Sequence, residues 1–195
     1  MTAPVFQDIT GIILVGGKSR RMGQDKALLS VQGKTLIERA LEPFQQSFEQ
    51  VLLIGDRPER FAAFRLPVVP DLYPGSSLGG LYTGLYHART EHIFVTSCDL
   101  PFPNPAILRY LCDARGRYDA IIPCSSQGSE PLFACYRKSC LDAMRDRLEQ
   151  QRFSISSVCS SLRTRLVPYQ DIASFDPAGT AFLNLNTPED IALLS

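Results

Sequence analysis

The stretch GIILVGGKSRRMGQDKALL, residues 11–29, runs from an apolar segment into two glycines and then into four positive side chains, Lys18, Arg20, Arg21 and Lys26. Ile12, Ile13, Leu14 and Val15 read as a strand covered on both faces. Gly16 and Gly17 permit positive φ and let backbone N–H groups approach an anion closely. In open α/β sheets, ligands gather outside the carboxyl ends of strands, which is where this loop must lie. Two common phosphate motifs fail. A P-loop ending in Gly17, Lys18 and Ser19 needs a glycine where Ile12 stands, and starting from Gly11 and Gly16 puts Gly17 in the lysine's place. The dinucleotide fingerprint fails because the glycines fall at 16, 17 and 23. Two readings remain open: charges merely solvated on a surface loop, or a phosphate-binding loop. In the second, Arg21 as a fork and Lys26 as a point charge cover a triphosphate.

Outward from this loop, apolar and amphipathic segments alternate. ITGIILV (9–15), QVLLIG (50–55), PVVPD (67–71), HIFVTSCD (92–99) and DAIIP (119–123) read as strands. Thr35 with Glu38 predicts a capping box ahead of LIERALEPF. In LGGLYTGLYHAR (78–89), Leu78, Leu81, Tyr82, Leu85 and Tyr86 form one helical stripe. Asn104–Pro105 marks another helix start, and Thr187, Pro188 and Asp190 repeat that pattern near the end. PLFACYR (131–137), TRLVPY (164–169) and FLNLN (182–186) are further strand candidates, with a helix over 139–150. This alternation predicts a three-layer α/β fold with a mainly parallel sheet. The expected organisation is a single domain over 1–195, with a nucleotide-binding part near 9–123 and an acceptor-side part near 124–195.

The totals narrow the class. A chain of 195 residues buries about 70% of its unfolded surface and needs no disulfide or metal staple. Net charge is zero, which argues against nucleic acid or an anionic membrane surface as the main partner. The six cysteines form no CxxC pair and there are only two histidines, His87 and His92; buried, reduced thiols are expected. No signal-like start and no apolar run of about 20 residues is present, so the expected location is cytoplasmic.

Further positions carry candidate chemistry. Asp99 ends the HIFVTSCD strand, where a carboxylate suits Mg²⁺, an ion commonly held by one or two carboxylates with phosphates and waters; a turn or capping aspartate is the alternative. Asp71 follows the PVVPD strand and precedes a Gly/Ser turn into a helix, a place for a sugar hydroxyl or phosphate. Gly79 and Gly80 equally suit close helix–sheet packing. Asn184 and Asn186 fall on one face of the FLNLN strand, able to bond a polar heterocycle or phosphate, or simply part of a strand entering a capped helix.

Together these segments resemble a known family. LVGGKSRRMGQDKALL is similar to the LAGGxSxRMGxDKxxL signature of nucleotidyltransferases with a Rossmann-like sheet. PDLYPGSSLGGLYTGL, TSCDLPF, EPLFACYRKSCL and FLNLNTPEDI resemble the later blocks of the MobA-like molybdenum cofactor guanylyltransferases, over roughly residues 11–193. The resemblance implies that Leu14, Val15 and Gly16 line the guanine and ribose side of GTP, with Gly17 in the phosphate loop. It puts Lys26 on the phosphates, Asp71 on the nucleoside, Asp99 on Mg²⁺, and Asn184 and Asn186 toward the pterin. The implied reaction moves GMP from GTP to molybdenum-molybdopterin with release of pyrophosphate. Molybdoenzymes or their chaperones are the implied recipients. A cytidylyltransferase, a transferase with another acceptor and a non-catalytic carrier are the alternatives. Three positions depart from the pattern: Val15 replaces an alanine, Ile54 stands where some relatives have asparagine, and Ser76 with Ser77 replaces a proline-containing turn, which predicts a looser turn.

Overall fold

The computed structural model describes residues 4–16 and 26–185. Strand β1 (Phe6–Leu14) is an interior strand of the sheet, with a parallel neighbour on each side. Its side chains alternate between two cores, as the period of a strand requires. Ile9, Ile13 and Val15 pack on one face; Ile12 and Leu14 pack on the other. The strands lie in the order β10 (Thr164–Val167), β7 (Ala120–Ser125), β9 (Phe133–Arg137), β6 (His92–Ser97), β1, β4 (Phe48–Ile54) and β5 (Val68–Val69), with β8 (Gly128–Ser129) paired to β7.

After β1 come a small antiparallel pair, β2 (Ser30–Val31) and β3 (Lys34–Thr35), and helix α1 (Leu36–Ser47). The predicted capping box is formed: Thr35 Oγ1 accepts from the Glu38 N–H while the Glu38 carboxylate accepts from the Thr35 N–H. Then follow β4 (Phe48–Ile54), β5 (Val68–Val69), α2 (Ser77–His87), β6 (His92–Ser97) and α3 (Pro105–Asp113). β4 and β6 flank β1 in parallel, and β5 is parallel to β4. The remainder comprises β7 (Ala120–Ser125), β8 (Gly128–Ser129), β9 (Phe133–Arg137), α4 (Leu141–Glu149), α5 (Ile155–Cys159), β10 (Thr164–Val167) and α6 (Tyr169–Ile172). β9 runs antiparallel between β6 and β7, and β10 is parallel to β7. The sheet is mainly parallel, as expected.

Several boundaries differ from expectation for identifiable reasons. The PVVPD segment contributes only Val68 and Val69 to the sheet, since the flanking prolines have no N–H to give a ladder. FLNLN is not a strand over its described part. Phe182 and Leu185 are buried while Leu183 and Asn184 are exposed, and the chain passes from a turn at 181–182 into irregular structure over 183–185. The Asp176 carboxylate enforces this, accepting from the N–H groups of Thr180 and Ala181. Tyr86 is not part of a buried stripe; it is 55% exposed and stacks on Tyr82. The rest of the stripe, Leu78, Leu81, Tyr82 and Leu85, is buried, and so is the other face of α2 with Gly80, Thr83 and Gly84. Five cysteines are buried and Cys124 is half-buried, all as free thiols. Among the described residues, no helix is long and apolar enough to cross a membrane. The Thr187, Pro188 and Asp190 helix start lies outside the described residues.

The glycines of α2 let it seat against its neighbours. A Cβ on Gly84 would stand 2.7 Å from Ile12 Cγ2, and one on Gly79 would stand 2.0 Å from the Tyr73 carbonyl oxygen. The first clash meets a side chain and the second meets backbone. Gly79→Ala is therefore expected to destabilise by about 3 kcal/mol or more, and Gly84→Ala by less, since helix propensity returns up to ~1 kcal/mol in each. Thermal unfolding of the two variants checks the order; an equal or milder loss for Gly79→Ala contradicts it.

Asp119 is buried before β7, held by the Arg163 guanidinium at 3.0 and 3.1 Å and by the Ser139 hydroxyl at 2.7 Å. Those bonds, Arg163 first, lower its pKa from 3.8 to about 2. A carboxyl depressed in the folded state stabilises fully above its unfolded pKa and loses that contribution as pH falls through the folded one. The gap in denaturation midpoint between wild type and Arg163→Ala should hold above about pH 4 and close toward pH 2. A gap that stays constant over that range counts against the pairing.

Candidate active site

The carboxyl ends of β1 and β6 lie side by side, with Leu14 in register with Ser97. The Cys98 N–H donates to the Leu14 carbonyl at 3.3 Å, carrying the pairing one residue past the strand. The chain then turns, the Leu100 N–H donating to the Ser97 carbonyl at 3.4 Å. This turn presents Asp99, whose Oδ1 is hydrogen-bonded to the Ser97 hydroxyl.

Lys26 reaches the same point from the other side. It opens a short 3-10 helix, Lys26–Leu28, in which Ala27 is fully buried and so anchors the backbone from which the lysine projects. Lys26 Nζ lies 3.7 Å from Asp99 Oδ2, with the side chains 16% and 29% exposed. A partly exposed pair at this separation contributes about 1 kcal/mol or less to stability. Opening it to admit a ligand therefore costs the fold little.

On the far side of β1, Leu14 touches α2 at Gly80, where a Cβ would stand 3.2 Å from Leu14 Cδ2 and 3.7 Å from Asp71 Oδ2. Asp71 Oδ1 accepts from the Tyr73 N–H at 2.9 Å and lies 2.9 Å from the Thr83 hydroxyl. Burial raises the Asp71 pKa, and these two hydrogen bonds oppose the rise. Ser76 caps α2, accepting from the Gly79 N–H at 3.0 Å. The turn expected to be loose is thus tied down.

The structure accordingly gathers Leu14, Val15, Gly16, Lys26, Asp71 and Asp99 along one edge of the sheet. Asn184 is exposed, and its neighbour Leu185 donates its N–H to the Asp99 carbonyl at 3.1 Å. Gly17, Arg21 and Asn186 lie outside the described residues. One expectation is corrected. The Gly16 amide, expected to face an anion, donates instead to the Ile54 carbonyl at 3.2 Å, as the Val15 amide does at 2.9 Å. Gly16 serves close approach instead, its absent Cβ lying 3.4 Å from Gly55 Cα. Ser97, Thr83 and Asp176 were not singled out from sequence. Thr83 carried a usable signal, standing four residues after Gly79 and hence on the same helical face.

A lysine and an aspartate meeting where two parallel strands end is an arrangement suited to phosphate chemistry, and solved structures share its frame. Molybdopterin-guanine dinucleotide biosynthesis protein A from Archaeoglobus fulgidus superimposes with a TM-score of 0.84 at 28% identity, over 95% of this chain and 96% of that one. The fold is that of a nucleotidyltransferase. More narrowly, the chain belongs to the MobA-like NTP transferase domain family, which it matches over residues 11–165. A protein named "Probable molybdenum cofactor guanylyltransferase" from Pelotomaculum thermopropionicum is 35% identical over 183 residues, 93% of this chain and 89% of the relative. The molybdenum cofactor guanylyltransferase of Desulfosudis oleivorans is 31% identical over 186 residues, 94% and 92% of the two chains.

Proposed function

We propose that this nucleotidyltransferase moves GMP from GTP onto the terminal phosphate of molybdenum-molybdopterin and releases pyrophosphate, working in the cytoplasm and passing the product to molybdoenzymes or their chaperones. The observation that carries the reading is the Lys26–Asp99 pair at the end of β1 and β6. It offers a cation for the triphosphate beside a carboxylate for a divalent ion, in a chain whose relatives are named for this reaction.

Each residue has a part in the reading. Lys26, with Arg21, neutralises the phosphates and orients them for in-line attack at the α-phosphorus. The Val15 and Gly16 amides are engaged by Ile54, so this segment meets the nucleoside through its carbonyls and through Leu14. Asp71 holds the nucleoside, and Gly17 lines the phosphates. Asn184 and Asn186 lie on the pterin side. Asp99 suits Mg²⁺ as a hard, partly exposed oxygen donor, since this ion needs few protein carboxylates when phosphates complete its shell. Bound there, Mg²⁺ supplies charge neutralisation at the phosphoryl oxygens. The acceptor phosphate, with a second pKa near ~6, arrives ionised, so no general base is required. His87 and His92 match that economy, lying at the opposite end of α2 and β6 from Asp99 and Asp71.

Incubation with GTP, Mg²⁺ and molybdenum-loaded molybdopterin should yield the dinucleotide and pyrophosphate by mass analysis, with CTP and ATP poor substitutes. Equal turnover of CTP would overturn the guanine assignment. Lys26→Ala should lower turnover by about 10²–10³, the scale of losing one preorganised donor; near-normal turnover removes it from the site. Asp99→Asn should keep the thermal transition and lose metal-dependent transfer, and retention of activity with the metal chelated would dismiss Asp99 as a ligand.

A further inference from the structure

Thr83 is fully buried on α2, and its hydroxyl connects this helix to the loop after β5. Its Oγ1 accepts from the Leu72 N–H at 3.0 Å and lies 2.9 Å from both Asp71 Oδ1 and the Gly79 carbonyl. A hydroxyl has one proton, so it donates to one of these two oxygens. The Gly79 carbonyl is four residues back on the same helix, a contact any helical threonine can make. The contacts to Asp71 and Leu72 cross from one element to another. With the carboxylate ionised, the charge-assisted bond to Asp71 is the stronger.

The Tyr73 N–H falls on the same oxygen of Asp71 as the Thr83 hydroxyl. Two donors on Oδ1 fix the rotation of the carboxylate, and Oδ2 is the oxygen these bonds leave to a ligand. Gly79 makes the geometry attainable, because only a residue without a side chain lets α2 sit against the Tyr73 carbonyl. A valine would fill the threonine's volume equally well, so packing does not account for the hydroxyl.

We infer that Thr83 is the positioning residue for Asp71, holding its carboxylate in the orientation that binds the nucleoside of the donor nucleotide. The inference rests on the reading of Asp71 given under Proposed function. An orienting role affects binding in ground state and transition state alike, so it appears in KM rather than kcat.

The test is calorimetric titration of the full chain with GTP and Mg²⁺, together with steady-state kinetics of pyrophosphate release. Thr83→Val should weaken GTP binding and raise KM by about 10-fold, the scale of a lost hydrogen bond to a charged group, with kcat within about twofold. Thr83→Ser, which restores the hydroxyl, should recover most of the affinity. In an Asp71→Asn background, Thr83→Val should add little, since its effect runs through that carboxylate. Binding of GTP by Thr83→Val within twofold of wild type, or full additivity with Asp71→Asn, overturns the inference. Circular dichroism reports folding. If Thr83→Val does not fold, Thr83→Ala is judged by the same thresholds, and failure of both to fold assigns the hydroxyl to the fold and overturns the inference as well. A wild-type protein that neither binds GTP nor releases pyrophosphate defeats the functional reading itself, an outcome distinct from a normal wild type with an indifferent Thr83→Val.

Discussion

The close approach of α2 to β1 is the constraint on which the site depends. Gly80 and Gly84 let the helix settle on Leu14 and Ile12, while Gly79 lets it press on the Tyr73 backbone. An alanine at Gly79 or Gly84 would push the helix out against a carbonyl or a side chain, and interiors this dense absorb such a shift poorly. The same contact brings Asp71 beside Leu14 at the carboxyl edge of the sheet. Asp71 and Leu14 therefore share one rigid support rather than two independent loops.

Electrostatics acts on a smaller scale within that frame. The Lys26–Asp99 pair is too exposed to matter much for folding, yet it sits where opposite charges are most useful to a polyanionic substrate. Burial works on Asp71 in the opposite sense, raising its pKa, and the Tyr73 and Thr83 donors counter this. The carboxylate is kept in usable form by neighbours whose own positions follow from the helix packing.

Much of this was legible in the sequence where one physical rule dominated. Continuous apolar runs named β1, β4, β6 and β7, because strands covered on both faces leave no polar alternation to confuse the pattern. Thr35 and Glu38 named a helix start through local hydrogen bonding alone. Legibility failed where distant contacts decided the outcome. The FLNLN segment alternates like a strand, but the Asp176 carboxylate captures the Thr180 and Ala181 amides and turns the chain before it can extend. Gly16 suggested outward-facing amides, whereas a carbonyl on β4 takes them. Thr83 received no role from sequence, because its hydroxyl meets Asp71 and Leu72 only once the loop after β5 folds against α2.

That misread C-terminal segment has a structural use that a strand would not have had. The Asn104 side-chain amide donates to the Phe175 carbonyl at 2.8 Å while its oxygen caps α3. Ten residues beyond Phe175, the Leu185 N–H takes the Asp99 carbonyl. The loop from Asp99 to Asn104 is thus held at both ends by one later stretch of chain, whose turn is set by Asp176. Between those ends the loop is anchored by its own side chains, with Leu100, Pro101 and Pro103 buried. Fastened at both ends, it keeps the Asp99 carboxylate opposite Lys26, and it brings Asn184 next to the same point. The segment that carries Asn184 and the turn that carries Asp99 are therefore coupled through backbone, so a change that loosened the Asp176 turn would reach Asp99 without touching it.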